Sequence, residues 1–349
     1  MKLGMTDRIM KLGMRDGLHE SWGWRMKYVK VIVCVVVLCL FVLFEGSCYG
    51  KGDSLVVMFW NVENFFDYID DGKGESDREF SSTGERHWTK KRFYAKCDAV
   101  AKTVLWMGDR YGRLPDVIGL AEVENRGVLA WLLSSTLLRK YDYAIVHRES
   151  GDRRGIDVAL LYRKSLMDTV STSFRVPYID GTPMETRDML HAGMKLKGGR
   201  DLDFIVNHHP SKFGGEEESR SRRYAAMEAL KDLCDSLSGK DVIAMGDFND
   251  TPDAVQFHML DGILVNKSDQ LHRNGEGTIR YEGKWELIDM FLTTPSLSLK
   301  SRMEIVRVPF LMTFEKTHPG EKPLRTYIGP RYAGGVSDHC PIVLIVDFD

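Results

Sequence analysis

Apolar residues recur along this chain in short runs separated by amphipathic stretches. Runs of strand length occupy Leu55–Trp60, Asp116–Ala121, Tyr143–His147, Ile156–Tyr162, Asp203–Asn207, Asp241–Met245, Leu287–Leu292 and Ile342–Val346. Each is bounded by polar or turn-forming residues, as buried strands require. Between several of them the apolar spacing changes to every three or four residues, over Thr89–Met107, Arg126–Leu138 and Ser219–Leu237, which predicts helices, with Thr89 as the N-cap of the first. Strands interleaved with helices across the whole length predict a layered α/β domain. Segments 67–86 and 313–335 are polar and carry glycine, so they are expected to be long surface loops, where binding residues concentrate.

One apolar run differs from the rest. Val31–Phe44 is continuous over about 14 residues, follows Lys27 and Lys30, and leads into Gly46, Ser47 and Cys48. A spanning helix needs roughly 20 apolar residues, so a basic flank, this length and a small-residue exit predict a signal peptide. A buried core helix and an uncleaved anchor are the alternatives. Met26 opens a better-proportioned signal than Met1, with a near-repeat of MKLGM at 1 and 10 upstream of it. Residues 1–50 are therefore set apart as a leader and residues 51–349 as one exported domain. Cys48 is the alternative lipidation site, although Glu45 puts a charge where such signals prefer small or aliphatic residues. Membrane contact is expected only through the leader or such an anchor.

Composition narrows the class. With 43% hydrophobic and 28% charged residues the chain can bury a sizeable core, which excludes wholesale disorder and collagen. The formal net charge is −2; without the leader's 7 Lys/Arg and 4 Asp/Glu it becomes 41 against 46, or −5. Global basicity is absent, so any anion site must be local. Outside the leader only Cys97, Cys234 and Cys340 remain, an odd number without framework spacing and no disulfide scaffold.

The candidate chemistry sits at strand ends. Trp60-Asn61-Val62-Glu63-Asn64, Glu122-Val123-Glu124-Asn125, Asn207-His208-His209-Pro210 and Gly246-Asp247-Phe248-Asn249-Asp250 each follow an expected strand. Ser337-Asp338-His339 precedes the last one, which suits a strand running antiparallel to the others. Ligand sites of open α/β sheets lie outside the carboxyl ends of strands, so these clusters are placed to converge. Asp289 stands inside an apolar run, needs a partner if buried, and has His339 as its natural candidate. Since successive residues of a strand face opposite ways, His208 rather than His209 is expected to face the site. Any one cluster alone could be a turn, a solvated strand end or a loop ion pair. All five at one edge point to a site.

Hard oxygen donors without C-x-x-C or H-x-x-x-H select Mg²⁺, Mn²⁺ or Ca²⁺ over softer metals, and a sparse carboxylate set beside imidazoles favours Mg²⁺, with Mn²⁺ as the alternative. G-x-S-x-G is missing and no cysteine opens a phosphate-cradling loop, which leaves metal-assisted attack of water on a phosphate ester.

FWNVENFFD, GLAEVEN, GIDVALLYR, VNHHPSKFGG, VIAMGDFND, WELIDMFL and GGVSDHCP, in this order from 59 to 341, resemble the endonuclease/exonuclease/phosphatase superfamily, and among its members a group of exported bacterial endonuclease-like proteins. The resemblance implies a four-layer α/β sandwich of two mostly antiparallel mixed sheets flanked by helices. It implies metal-site roles for Asn61, Glu63, Glu122 and Asp338. It also implies catalytic roles for His208, Asp247, Asn249 and His339, with Asp289 orienting His339 and the Asp247/His339 pair sharing acid–base work. Ala121 stands where abasic-site enzymes commonly carry glutamine, which argues against DNA repair. Lys212 and Arg325, with Arg222 and Arg223 behind them, are candidate phosphate contacts. The expected protein is a monomeric exported phosphodiesterase acting on nucleic acid, with a sphingomyelinase-like or other phospholipid or sugar-phosphate phosphodiesterase as the alternative. The loop pair Arg325/Tyr327 and Arg331/Tyr332 interleaves cations and rings in a way that suits phosphate and base contact.

Overall fold

The computed structural model describes residues 53–212 and 215–348. The leader expected over residues 1–50, Cys48 included, lies outside the described residues.

Twelve strands build two sheets. In chain order they are β1 (Asp53–Phe65), β2 (Val117–Val123), β3 (Tyr143–His147), β4 (Asp157–Arg163), β5 (Met167–Arg175) and β6 (Met189–Leu196), then β7 (Asp201–His208), β8 (Val242–Asp247), β9 (Val265–Asn266), β10 (Asp289–Thr293), β11 (Ser301–Ile305) and β12 (Ile342–Phe348). The first sheet has the order β11-β12-β1-β2-β4-β3 and the second β9-β10-β8-β7-β6-β5. Each holds one parallel pair at its centre, β1 with β2 and β7 with β8, and is otherwise antiparallel.

Alternation along the strands explains why the sheets stack. Val57 and Phe59 of β1 join Phe204 and Val206 of β7, Met245 of β8 and Leu344 of β12 in the core between the sheets. Met58 and Trp60 face the other way, onto Phe93, Val100 and Val104 of helix α1 (Lys90–Tyr111) and Leu129 of α2 (Arg126–Ser135). Ile205 and Ala244 meet Leu230 and Leu233 of α3 (Glu216–Ser236). Central strands buried on both faces read as continuous apolar runs. The result is helix, sheet, sheet, helix.

Thr89 caps α1, its side chain accepting from the Arg92 N–H, and Gly112 closes the helix at φ 69°. Several elements differ from expectation. β5 and β11 were not expected, because MDTVSTSFR and SRMEI carry too many polar residues to show as apolar runs, and β6 (MLHAGMKL) and the two-residue β9 were not expected either. Segment 313–335 is not an open loop but holds two hairpins, Met312–Glu315 with Gly320–Pro323 and Tyr327–Ile328 with Arg331–Tyr332. Strand β10 begins at Asp289, two residues later than its apolar pattern.

Candidate active site at the strand ends

The two parallel pairs bring four polar clusters to one edge. Asn61 lies beside Ala121 in the β1–β2 register, which sets Glu122 next to it. Asp247 lies beside His208 across β7–β8 and opposite Asp289 across β8–β10. Strand β12 pairs Ile342 with Phe59, so Ser337–His339 arrive at the same end of β1. Ser337 Oγ donates to the Asn61 carbonyl (2.6 Å) and accepts from the His339 N–H (2.9 Å), while Trp60 Nε1 donates to the His339 carbonyl (2.9 Å). These bonds lock the SDH segment onto the first cluster.

Asn61 joins the sheets: its Nδ2 donates to Asp247 Oδ2 at 3.0 Å and lies 3.5 Å from Glu122 Oε1. Glu122 accepts from the Asn64 N–H (2.7 Å) and lies 3.6 Å from the Arg154 guanidinium. Burial pushes the Glu122 carboxyl up, but Arg154, the Asn64 N–H and Arg187 outweigh it and hold the group below its usual value. It stays a carboxylate.

Asp247, buried at the centre, lies 3.6 Å from His208 Nε2 and 3.9 Å from His339 Nε2, and accepts from the Asn249 N–H at 2.9 Å. Burial and the facing Asp289 push it up to about 7 against the lowering influence of His339. His339 Nδ1 donates to Asp289 Oδ2 at 2.8 Å. Burial alone would lower His339, yet Asp289, Asp338 and Asp247 hold it well above its ordinary value. The second oxygen of Asp289 is buried without a hydrogen-bond partner. Around Asp247 the structure thus places a cationic imidazole and a carboxyl close to sharing its proton, which suits a group that orients or deprotonates water.

The adjacent histidines part company. His208 faces Asp247, whereas His209 turns its ring onto Phe248 (4.9 Å between centroids, edge-on), and its Nε2 is buried without a partner. Burial with Arg187 and Arg154 drives His208 well below its usual range; burial with Arg187 and Arg223 takes His209 to about 3. Both are neutral at pH 7. Asn249 donates to the His209 carbonyl (2.9 Å).

The remaining candidates lie at the rim. Glu63 accepts from Arg325 Nε (2.8 Å) and from the Thr326 N–H (2.9 Å), so both its oxygens are engaged by the protein. Asp338 is 3.2 Å from Arg325 Nη2 and 3.8 Å from His339 Nε2. Lys212 pairs with Asp250 at 3.3 Å, away from the carboxylate centre; Arg223 is buried on the same Asp250 (2.9 Å), and Arg222 is exposed. Three cations were missed by sequence reasoning. Arg187, from the turn before β6, lays its guanidinium on His208 (Nε–Nδ1 3.1 Å) and pairs with Asp152 (3.2 Å). Arg154 precedes β4 and reaches Glu122. Lys96 of α1 is buried, donates to the Glu63 carbonyl and to Thr326 Oγ1, and is taken down to about 8 by burial against the raising pull of Glu63. None stands in a motif. Their only signal was a charged residue on an apolar helix face or beside a strand, which is ordinary surface composition.

The donor set fits a divalent cation. Asp247, Asp289 and His339 offer ligand atoms within 4.8 Å of one another, and Glu122 and Asp338 add hard oxygens beside them, while Asn61 turns its Nδ2 toward Glu122 and Asp247 and its Oδ1 accepts from the Glu63 N–H. His339 Nδ1 and one Asp289 oxygen are already bonded to each other, so Glu122 and the half-buried Asp338 are the better-placed ligands. Burial first, and then the facing Asp289, lift Asp247, and a bound cation would favour its charged form.

Comparison with known proteins agrees with this fold. The model of the endonuclease/exonuclease/phosphatase family matches residues 56–347. No curated protein matches by sequence. Among solved structures, the chain is similar to an endonuclease/exonuclease/phosphatase family protein from Bacteroides thetaiotaomicron, at 16% identity over 85% of this chain and 99% of that one, with a TM-score of 0.54. It is similar to the human Nocturnin catalytic domain with bound sulfate at 15% identity, 85% and 95% coverage and a TM-score of 0.52. A mannosyl-6-phosphatase from Bacteroides thetaiotaomicron VPI-5482 gives 16% identity, 84% and 99% coverage and a TM-score of 0.52. At these identities the likeness is one of fold.

Proposed function

Because the chain belongs to the endonuclease/exonuclease/phosphatase family, whose members hydrolyse phosphoester bonds, we propose that it is an exported Mg²⁺-dependent phosphodiesterase that cuts nucleic acid internally. The observation that carries this reading is the meeting of Asn61, Glu122 and His339 from the side of one sheet with His208, Asp247 and Asp289 from the other.

In this reading Glu122 and Asp338 would hold the ion, joined by Asn61 once its amide turns its oxygen inward, and the ion would offset charge on the phosphoryl group. Asp247 receives the proton of the attacking water. His339, kept protonated by Asp289, donates from Nε2 to a phosphoryl oxygen, and neutral His208 with the Asn249 amide fixes the phosphate without adding charge. Arg325 and Lys212 are the proposed outer phosphate contacts. A cleft of about 580 Å³ leads away from Asp338 and Arg325, between the hairpins around Tyr281 and Lys322, and offers room for a chain extending past the scissile bond.

One observation favours a second reading. Tyr281, Phe314 and Ile328, on three hairpins near this cleft, are exposed, as a phospholipid phosphodiesterase docking on a membrane would have them. Charged neighbours such as Glu282, Glu315 and Arg331 break them up, which is why nucleic acid leads.

The test is hydrolysis of plasmid DNA, RNA, sphingomyelin vesicles and a chromogenic phosphodiester, each with Mg²⁺, with Mn²⁺ and with EDTA. Cleavage of DNA or RNA that EDTA abolishes is expected, with Glu122→Gln inactive and Asp247→Asn slowed by about two orders of magnitude or more. Hydrolysis of sphingomyelin without cleavage of either nucleic acid would give the lipid reading precedence. Export is tested by N-terminal sequencing of the secreted or membrane-bound protein.

A further inference from the structure

Arg187 sets two of its donors against one imidazole. Its Nε donates to His208 Nδ1 at 3.1 Å, and its Nη2 lies 2.6 Å from His208 Nε2. Other groups hold the guanidinium in this pose. Nη1 donates to Asp152 (3.2 Å) and Nη2 reaches the His209 carbonyl (3.4 Å). Asp152 also accepts from the Arg154 N–H (3.0 Å), so it belongs to the loop that places Arg154 beside Glu122. Both side chains are buried, Arg187 at 8% exposure and His208 at 2%.

An arginine offers donors only, and a neutral imidazole has one lone pair and one N–H. His208 is neutral at pH 7, held there by burial and by Arg187. Since Nδ1 accepts from Arg187, Nε2 carries the hydrogen. The 2.6 Å contact therefore sets one N–H against another. Asp247, 3.6 Å from Nε2, is beyond hydrogen-bond reach, and no other acceptor for this hydrogen is found among the described residues. Buried donors nearly always find an acceptor, so two that meet without one require an explanation. An anion supplies it. One oxygen in front of Nη2 and Nε2 can accept from both, with the fixed arginine charge behind it.

We propose that Arg187 Nη2 and His208 Nε2 form a two-donor hole for a non-bridging oxygen of the phosphoester, which makes Arg187 a catalytic residue and not only a brace for its loops. The proposal rests on the phosphoester-hydrolase reading above and deepens it. Arg187 then supplies, next to Asp247, the positive charge that neutral His208 lacks.

The experiment uses methyl p-nitrophenyl phosphate and the two enantiomers of its phosphorothioate, so that the choice between nucleic acid and lipid does not enter the result. Sulfur accepts hydrogen bonds weakly, and Mn²⁺ tolerates it better than Mg²⁺ does. With Mn²⁺ the wild type should therefore hydrolyse one enantiomer about tenfold or more slowly than the other, the penalty falling on the oxygen that the two donors hold. Arg187→Met should lower kcat on the oxygen ester by about two orders of magnitude and narrow the ratio between enantiomers to about threefold or less, while Arg187→Lys keeps part of both. Equal rates for the two enantiomers in the wild type, or an unchanged ratio in a folded Arg187→Met protein, would overturn the proposal. A second measurement needs no variant of the arginine. In nitrogen NMR of the wild type, inorganic phosphate should shift the His208 Nε2–H and one arginine side-chain N–H together. Phosphate that inhibits competitively and moves neither resonance would likewise overturn the proposal. A wild type that hydrolyses none of the three esters would sink the phosphoester-hydrolase reading, and this proposal with it.

Discussion

Glu63, Asn64, Glu122 and Asn249 all adopt positive φ, and all stand at the ends of strands that feed the site. A non-glycine residue held there costs on the order of 1–3 kcal/mol and persists only where its surroundings over-determine it. Here they do: the Glu63 N–H donates to Asn61, the Asn64 N–H to Glu122 and the Asn249 N–H to Asp247. Two residue-level outcomes follow from the imidazoles. Asp289→Asn removes the main influence holding His339 high, so the His339 resonances should titrate at lower pH in NMR and turnover should fall about tenfold or more, with Mn²⁺ affinity within about twofold. An unchanged titration would refute the pairing. His209 acts on stability instead. The unfolded chain binds a proton there near 6.5 while the folded chain resists until about 3, so the unfolded state binds more protons and stability falls as pH drops between those values. His209→Phe, which also removes a buried unpaired nitrogen, should raise stability by about 1 kcal/mol at pH 7 and flatten that acid limb in urea titrations, with activity retained.

At the scale of elements, the site depends on how closely β7 and β8 approach. A Cβ at Gly246 would come within 2.4 Å of the Asn207 carbonyl oxygen, a clash with backbone that no side-chain rotation can relieve. Gly246→Ala should therefore cost about 1–3 kcal/mol in urea unfolding and pull Asp247 out of line with His208, lowering turnover more than it lowers stability. An alanine variant with wild-type midpoint and rate would show that the strands can part freely. Helix α1 shows the opposite arrangement, a lysine on a buried helical face made tolerable because Lys96 reaches the Glu63 carbonyl near the end of β1 and the Thr326 hydroxyl.

At the scale of the molecule, the excess of acid over base means that attraction to a polyanion must come from local groups. Arg325 and Lys212 are each already paired with carboxylates. Few phosphate contacts imply a shallow dependence on salt and weak, sequence-tolerant binding. Cleavage of DNA measured from 20 to 300 mM salt should fall with a log–log slope of about −1 to −3, and a slope near −6 or steeper would reveal a basic groove not visible here.

The sequence by itself determined the strand and helix alternation, the family motifs and the residue types of the centre, because period, apolar runs and strand-end clusters are local properties of a chain. Asn61, Glu122, His208, Asp247 and His339 were all legible in this way. What only the tertiary structure decided is who meets whom. Asn61 and Asp247 are 186 positions apart and belong to different sheets, and only face-to-face packing brings them to 3.0 Å. The same packing buries Arg187 on His208 and sets Arg325 between Glu63 and Asp338. A cation's partner is fixed by which opposite charges share its low-dielectric neighbourhood, and that neighbourhood exists only once the two sheets have closed on each other.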